Sequence, residues 1–129
     1  MLLALLLLLF VVGCSPQKSL ANRLKSADRV IFASNVPGYE DLTTTVTGED
    51  VNKLVQAVAN GGKLSPNVDC TPESRLEFFK GSAPLATITN CVSVFWIDQT
   101  PYEDTSGTLK MLNQKRREEY DERRLKSAR

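Results

Sequence analysis

One amphipathic segment, TGEDVNKLVQAVANGG at positions 47–62, places the strongest constraint on how this chain can fold. Its apolar residues recur at the spacing of one helical face, as Val51, Leu54, Val55 and Val58. Acidic residues fall in the first turn, and two glycines follow Asn60, where glycine tolerates the left-handed conformation that often ends a helix. We therefore expect a helix from Glu49 to Asn60 that buries this stripe against a sheet.

Short segments rich in β-branched and aromatic residues flank this helix and predict strands. The expected strands are residues 29–34, 42–47, 73–80, 85–89 and 92–97. The turn sequence at 81–84 predicts a hairpin between the third and fourth of them. Because helices and strands are segregated, the sequence predicts an α+β fold with an antiparallel sheet of about five strands, in the order β-β-α-β-β-β-α. The amphipathic helix would cover one face, and a charged helix would end the chain.

The N-terminus begins with an unbroken apolar run over residues 1–12. A helix that crosses a bilayer needs about 20 apolar residues, whereas the apolar core of a secretory signal has about 7–15. The run therefore has the length of a signal peptide, although no Lys or Arg precedes it, where a signal normally carries positive charge. A buried N-terminal helix and a signal cut at another bond are the alternatives.

The residues that close this run, Val11, Val12, Gly13 and Cys14, resemble the lipobox of bacterial lipoproteins. The resemblance implies that the Cys14 thiol carries diacylglycerol, that the chain is cut before Cys14, and that the new amine is acylated. It implies a bacterial envelope protein anchored to a membrane by lipid, since several acyl chains on one residue anchor stably. Ser15 at the next position implies the outer membrane, facing the periplasm, in a bacterium with two membranes.

These features divide the chain into a signal peptide at 1–13, Cys14 with a polar tether at 14–27, a small α+β domain at 28–112, and a charged helical tail at 113–129. The chain has 16 Lys and Arg against 15 Asp and Glu, so its charge does not indicate nucleic acid as a partner. We expect the tail to be a solvated helix with ion pairs at i, i+4 spacing. A tail that lies on anionic lipid or cell-wall polymer is the alternative.

Three cysteines stand at positions 14, 70 and 91. With Cys14 assigned to lipid, Cys70 and Cys91 remain as a pair, and a pair in an exported protein predicts a disulfide. The two residues fall near the open end of the predicted hairpin, within the reach of a disulfide. Two free buried thiols are the alternative.

The chain contains no histidine, which removes the commonest general base and metal ligand. It also lacks Cys-x-x-Cys spacing and a glycine-rich phosphate loop, so we expect no metal and no cofactor. The candidates for acid–base or calcium chemistry are Asp98, Glu103 and Asp104, on a loop from Asp98 to Ser106. We favour a solvated loop in which Asp104, Thr105 or Ser106 caps the following helix.

Phe79, Phe95 and Trp96 lie on predicted strands, where neighbouring side chains point to opposite faces. If they are exposed, these aromatic side chains would form a binding surface; the C-terminal helix could instead cover them.

We expect a membrane-anchored envelope lipoprotein whose small non-catalytic domain binds an unidentified protein partner or contributes to envelope structure. An envelope enzyme or enzyme inhibitor that presents the loop from Asp98 to Ser106 is the alternative.

Overall fold

A seven-stranded antiparallel sheet and three helices make up the computed structural model, which describes residues 15–128. The helices are α1 (Pro16–Leu24), α2 (Glu49–Asn60) and α3 (Thr108–Ser127). The strands are β1 (Arg29–Ser34), β2 (Thr43–Thr47), β3 (Gly62–Lys63), β4 (Ser74–Lys80), β5 (Ala83–Cys91), β6 (Val94–Ile97) and β7 (Thr100–Glu103). None of these three helices has the length and apolar content needed to cross a membrane. The expected signal peptide and the lipidation of Cys14 lie outside the described residues.

Across the sheet the strands follow the order β2-β1-β4-β5-β6-β7-β3. The α+β class, the antiparallel pairing, the amphipathic helix and the β4–β5 hairpin are confirmed, but the expected strand count and element order are wrong. The observed order is α-β-β-α-β-β-β-β-β-α, which has α1, β3 and β7 in addition to the expected elements. β3 has two residues, too few for a periodic pattern. β7 contains Pro101, which cannot donate a ladder hydrogen bond. The turn before β7 has positive φ at Asp98 and Gln99, 47° and 70°, without the glycine that normally marks such turns.

All three helices pack on the same face of the sheet, where one hydrophobic core forms. The strands contribute Val30, Phe32, Val46, Leu76, Phe78, Ile88, Phe95, Ile97 and Tyr102 to this core. The predicted stripe of α2 meets them, with Leu54 completely buried. The opposite face of the sheet carries no helix within residues 15–128.

The expected tether at 14–27 is wrong from residue 16 onward, because α1 belongs to the domain. Ala21 and Leu24 are buried, and α1 packs against α2 and β5. The Gln17 amide donates to two carbonyls at the C-terminal end of α2, each at 2.9 Å. Three apolar residues in nine, Leu20, Ala21 and Leu24, give this helix a buried side although its composition is polar.

The expected boundary between domain and tail at residue 112 is also wrong, because α3 continues across the sheet as far as β2. Arg116 is buried one turn beyond Leu112. The Thr44 hydroxyl of β2 donates to the Glu119 carboxylate, and Arg123 Nη2 donates to the Asp41 carbonyl at 2.8 Å. From residue 121 to residue 128 every side chain is exposed, so the solvated tail is shorter than expected.

Cys70 and Cys91 form a disulfide, with 6.1 Å between their Cα atoms, which confirms the predicted pairing. The bond ties residues 64–73, which contain no helix or strand, to the end of β5. This segment brings the chain back from the edge strand β3 to β4, in the interior of the sheet.

Candidate functional site

A cleft lies between α3 and residues 35–42, which join β1 to β2. Its volume is about 390 Å³, inside the range of small-molecule sites. Tyr39 from the loop and Tyr120 from α3 form part of its wall, with ring centroids 6.4 Å apart. Three guanidinium groups also line it, from Arg116, Arg117 and Arg124.

Arg116 is the most buried of the three arginines in this wall, since only 3% of the residue is exposed. Its guanidinium lies over the ring of Phe32, 4.0 Å from the centroid, and Nη2 donates to Asn113 Oδ1 at 2.9 Å. The other two nitrogens, Nε and Nη1, have no hydrogen-bond partner within residues 15–128. A buried donor without a partner costs about 1–3 kcal/mol, and more when it is charged. Both nitrogens have almost no accessible surface, so a group that enters the cleft bonds to them only after it uncovers them.

The charge of Arg116 is retained although its surroundings oppose it. Burial, followed by the nearby charge of Arg117, lowers the pKa of Arg116 to about 10, while Glu73 acts in the opposite direction. A pKa of this size keeps the guanidinium positive at neutral pH. In the described part of the chain the ion pairs are Lys53–Asp50, Arg75–Glu77 and Lys80–Asp28. Arg116 therefore has no carboxylate at ion-pair distance among those residues.

The start of α3, which sets the position of the cleft, depends on Asp104. Gly107 precedes the helix with φ 79° and has no side chain to cap it. The buried Asp104 carboxylate takes this role, since it accepts from the amides of Leu109 and Ser106, each at 2.9 Å. Asp104 thus caps the first turn of α3, which is one of the two roles expected for this residue.

The predicted acidic group does not form a site with Asp104. Asp98 lies exposed in the β6–β7 turn, and Glu103 is exposed at the end of β7. The expected loop from Asp98 to Ser106 is therefore largely a strand and a helix cap. Within residues 15–128, no three His, Cys, Asp or Glu side chains are placed to hold a metal ion.

The three aromatic residues predicted as a binding surface do not lie together. Phe95 is completely buried on the face that the helices cover, and its ring stacks on Tyr102 at 5.6 Å. Phe79 and Trp96 are half-buried on the opposite face, where Arg29 covers Phe79 at 4.6 Å. Because Phe95 is buried, it cannot belong to an exposed surface. Phe79 pairs with Pro84 and Trp96 pairs with Thr89, so these two aromatic side chains lie at different positions along the strands and do not form one surface.

Sequence reasoning missed Arg116 because it assigned the residue to a solvated tail. The spacing of Leu109, Leu112 and Arg116 could have found it, since these positions share one helical face. Tyr120, one turn further, continues the same face. An arginine on the same helical face as two buried leucines indicates that the buried face of α3 continues into the charged segment.

No family model, no curated protein and no solved structure matches this chain.

Proposed function

We propose that this protein is a membrane-anchored lipoprotein of the bacterial envelope whose small non-catalytic domain binds a ligand in the cleft beside α3. The observation that carries the binding role is Arg116, buried and charged, with two nitrogens that have no partner within residues 15–128. A buried guanidinium without partners lowers the stability of the fold, so a binding role gives a reason for its presence. The cleft offers binding groups of both kinds, charged and aromatic, from α3 and the β1–β2 loop.

The anchor part of the proposal draws on the lipobox resemblance at Val11 to Cys14. The Cys70–Cys91 disulfide is compatible with export, since disulfides persist in oxidising compartments. Because α1 begins at Pro16, two residues after Cys14, a lipid on Cys14 would hold the domain at the bilayer surface without a spacer.

The enzymatic alternative has less support, because its acidic residues do not converge. Asp104 accepts hydrogen bonds from Leu109 and Ser106 at the start of α3, and Asp98 and Glu103 are exposed. A binding role needs only the cleft as it stands, so we favour binding over catalysis.

Metabolic labelling with radioactive palmitate tests the anchor. The wild-type chain should take up label and partition with the membrane fraction, whereas Cys14→Ala should take up none. Cys70→Ser removes a different cysteine and is the matched control, which should keep the label. Equal labelling of wild type and Cys14→Ala would remove the lipoprotein proposal.

A further inference from the structure

We infer that the cleft binds an organic carboxylate with an apolar body, such as the C-terminal end of a peptide or a free aromatic acid, with its carboxylate on Arg116. The inference rests on the binding role proposed above and is independent of the lipid anchor. Three features of the cleft lead to it: its charge, the geometry of Arg116, and the nature of its other walls.

The charge of the cleft favours a ligand with one negative charge. Arg116, Arg117 and Arg124 line it together with two carboxylates, Glu73 and Asp121. Among the described residues, none of the three arginines has an ion-pair partner. The lining thus carries one positive charge in excess, three against two. A carboxylate neutralises that excess, whereas a phosphate group, with close to two charges at pH 7, would leave its second charge beside Glu73 or Asp121.

The geometry of Arg116 suits a planar acceptor. Phe32 lies under the guanidinium at 4.0 Å, and Asn113 holds Nη2 at 2.9 Å, so both the plane and the rotation of the group are fixed. Nε and Nη1 are buried donors without a partner in residues 15–128, and they lie on opposite edges of the guanidinium. One carboxylate therefore bonds to the edge formed by Nη1 and Nη2, where Nη2 has a second N–H besides the one that Asn113 accepts, and it reaches Nη1 only when the wall over this atom moves. Such charge-assisted hydrogen bonds are roughly twice as strong as neutral ones.

The other walls of the cleft suit an apolar body. Val36 and Tyr39, both on the β1–β2 loop, are among the few large hydrophobic residues that are exposed, and both line the cleft. Leu42 and Tyr120 add to the same wall. A ligand that covers these side chains removes apolar surface from water while its carboxylate reaches Arg116.

N-acetylphenylalanine and its amide make a matched pair of probes, because they differ in the carboxylate alone. Every contact described above lies within residues 15–128, so the chain from position 14 with Cys14→Ser keeps the whole domain without lipid. Arginine Nε–Hε signals followed by NMR should show saturable binding of the acid. The amide should bind at least about tenfold more weakly, since it loses a charge-assisted interaction.

Two further ligands distinguish the source and the chemistry of the anion. Phenylacetate carries the acid and the ring without a peptide bond, so tighter binding of N-acetylphenylalanine indicates a peptide end, and equal or tighter binding of phenylacetate indicates a free acid. Either result supports the inference. Inorganic phosphate that binds more tightly than both acids would overturn it.

Variants connect binding to Arg116. Arg116→Met should abolish binding of the acid. Lys115→Met, which removes an exposed charge from the adjacent position, should leave the affinity for the acid within about twofold of the wild type.

Amide NMR spectra show whether each variant is folded, and if Arg116→Met does not fold, Arg117→Met together with Tyr120→Leu tests the same cleft. Equal binding of acid and amide, binding that survives in a folded variant of the cleft, or no saturable binding would overturn the inference. Palmitate labelling of Cys14 is unaffected by any of these results, so a failed anchor and a failed cleft are distinguished.

Discussion

Gly61 lies directly after α2, where the space beside it is filled by the ring of Phe95. Its φ of −59° is available to every residue, so the left-handed conformation expected after Asn60 is not the reason for this glycine. A β-carbon at Gly61 would lie 2.5 Å from Phe95 Cζ and 2.8 Å from Cε1. Glycine is therefore needed here so that α2 can approach the buried Phe95 closely.

Gly61→Ala should destabilise the domain, because either Phe95 or the end of α2 must move. Overpacking of this kind costs about 1–3 kcal/mol. The neighbouring Gly62 is the control, since a β-carbon there meets nothing within 4 Å. Urea denaturation should show the loss for Gly61→Ala and a change within about 0.5 kcal/mol for Gly62→Ala. Similar midpoints for the two variants would contradict the close packing of Phe95.

Asp104 shows at the same scale how one carboxylate in a sequence can fit two roles. The sequence identifies it as a carboxylate of interest, and one of the two expected roles, a helix cap, is the one observed. Spacing alone could not decide between the roles. The cap position of α3 is occupied by Gly107, in a left-handed conformation, and because glycine has no side chain, the Asp104 carboxylate caps the helix instead.

At the level of elements, α3 connects β7 to β2, which is an edge strand of the sheet. It begins beside β7, and its contacts continue to β2 at the far side of the sheet through Glu119 and Thr44. The Arg116 guanidinium on Phe32 and the Arg123 contact with the Asp41 carbonyl belong to the same half of the helix. This half is therefore part of the folded domain and forms one wall of the cleft.

Truncation after Gln114 should consequently cost stability. It uncovers the buried ring of Phe32 and removes an aromatic pair and hydrogen bonds to β2 and the β1–β2 loop, together worth about 2–4 kcal/mol. This approaches the about 2–5 kcal/mol expected for Leu54→Ala in the core. Truncation after Arg123 removes exposed residues and is the control. Thermal unfolding in which both truncations melt like the parent chain would show that α3 beyond Leu112 contributes nothing.

Periodic elements were predictable from the sequence, and elements without a period were not. The stripe of α2 and the alternation in β4 appear in the structure at the expected positions. β7 was missed because Pro101 and a glycine-free turn hide it, and α1 because its buried side is only three residues wide. The cleft was missed because the charged residues that flank Arg116 favoured a solvated helix, although Arg116 shares a helical face with Leu109 and Leu112.

For the whole molecule, the position of α1 determines how an anchored domain would sit. Pro16 and Trp96 line the same surface depression, and Pro16 is two residues from Cys14. A lipid on Cys14 would therefore bring Trp96 close to the lipid headgroups. Trp96 is the only tryptophan in the chain, so its fluorescence reports this one position.

In vesicles that contain nitroxide-labelled lipid, we expect Trp96 of the lipidated protein to be quenched. A flexible Gly/Ser linker of about 15 residues, inserted between Cys14 and Ser15, should reduce the quenching while the anchor remains, because the domain can then leave the surface. Equal quenching with and without the linker would contradict a domain held at the bilayer by a short connection.

The most direct test of the central claim, that Arg116 is kept for a ligand rather than for stability, is the melting temperature of two chains with and without N-acetylphenylalanine. Without the acid, Arg116→Met should melt at or above the wild type, because an apolar side chain of similar length needs no hydrogen-bond partners in that position. A saturating concentration of the acid, about 100 times its Kd, should stabilise the wild type by about 2.7 kcal/mol and leave Arg116→Met unchanged. A variant that melts well below the wild type, with no effect of the acid on either chain, would show instead that Arg116 serves the fold.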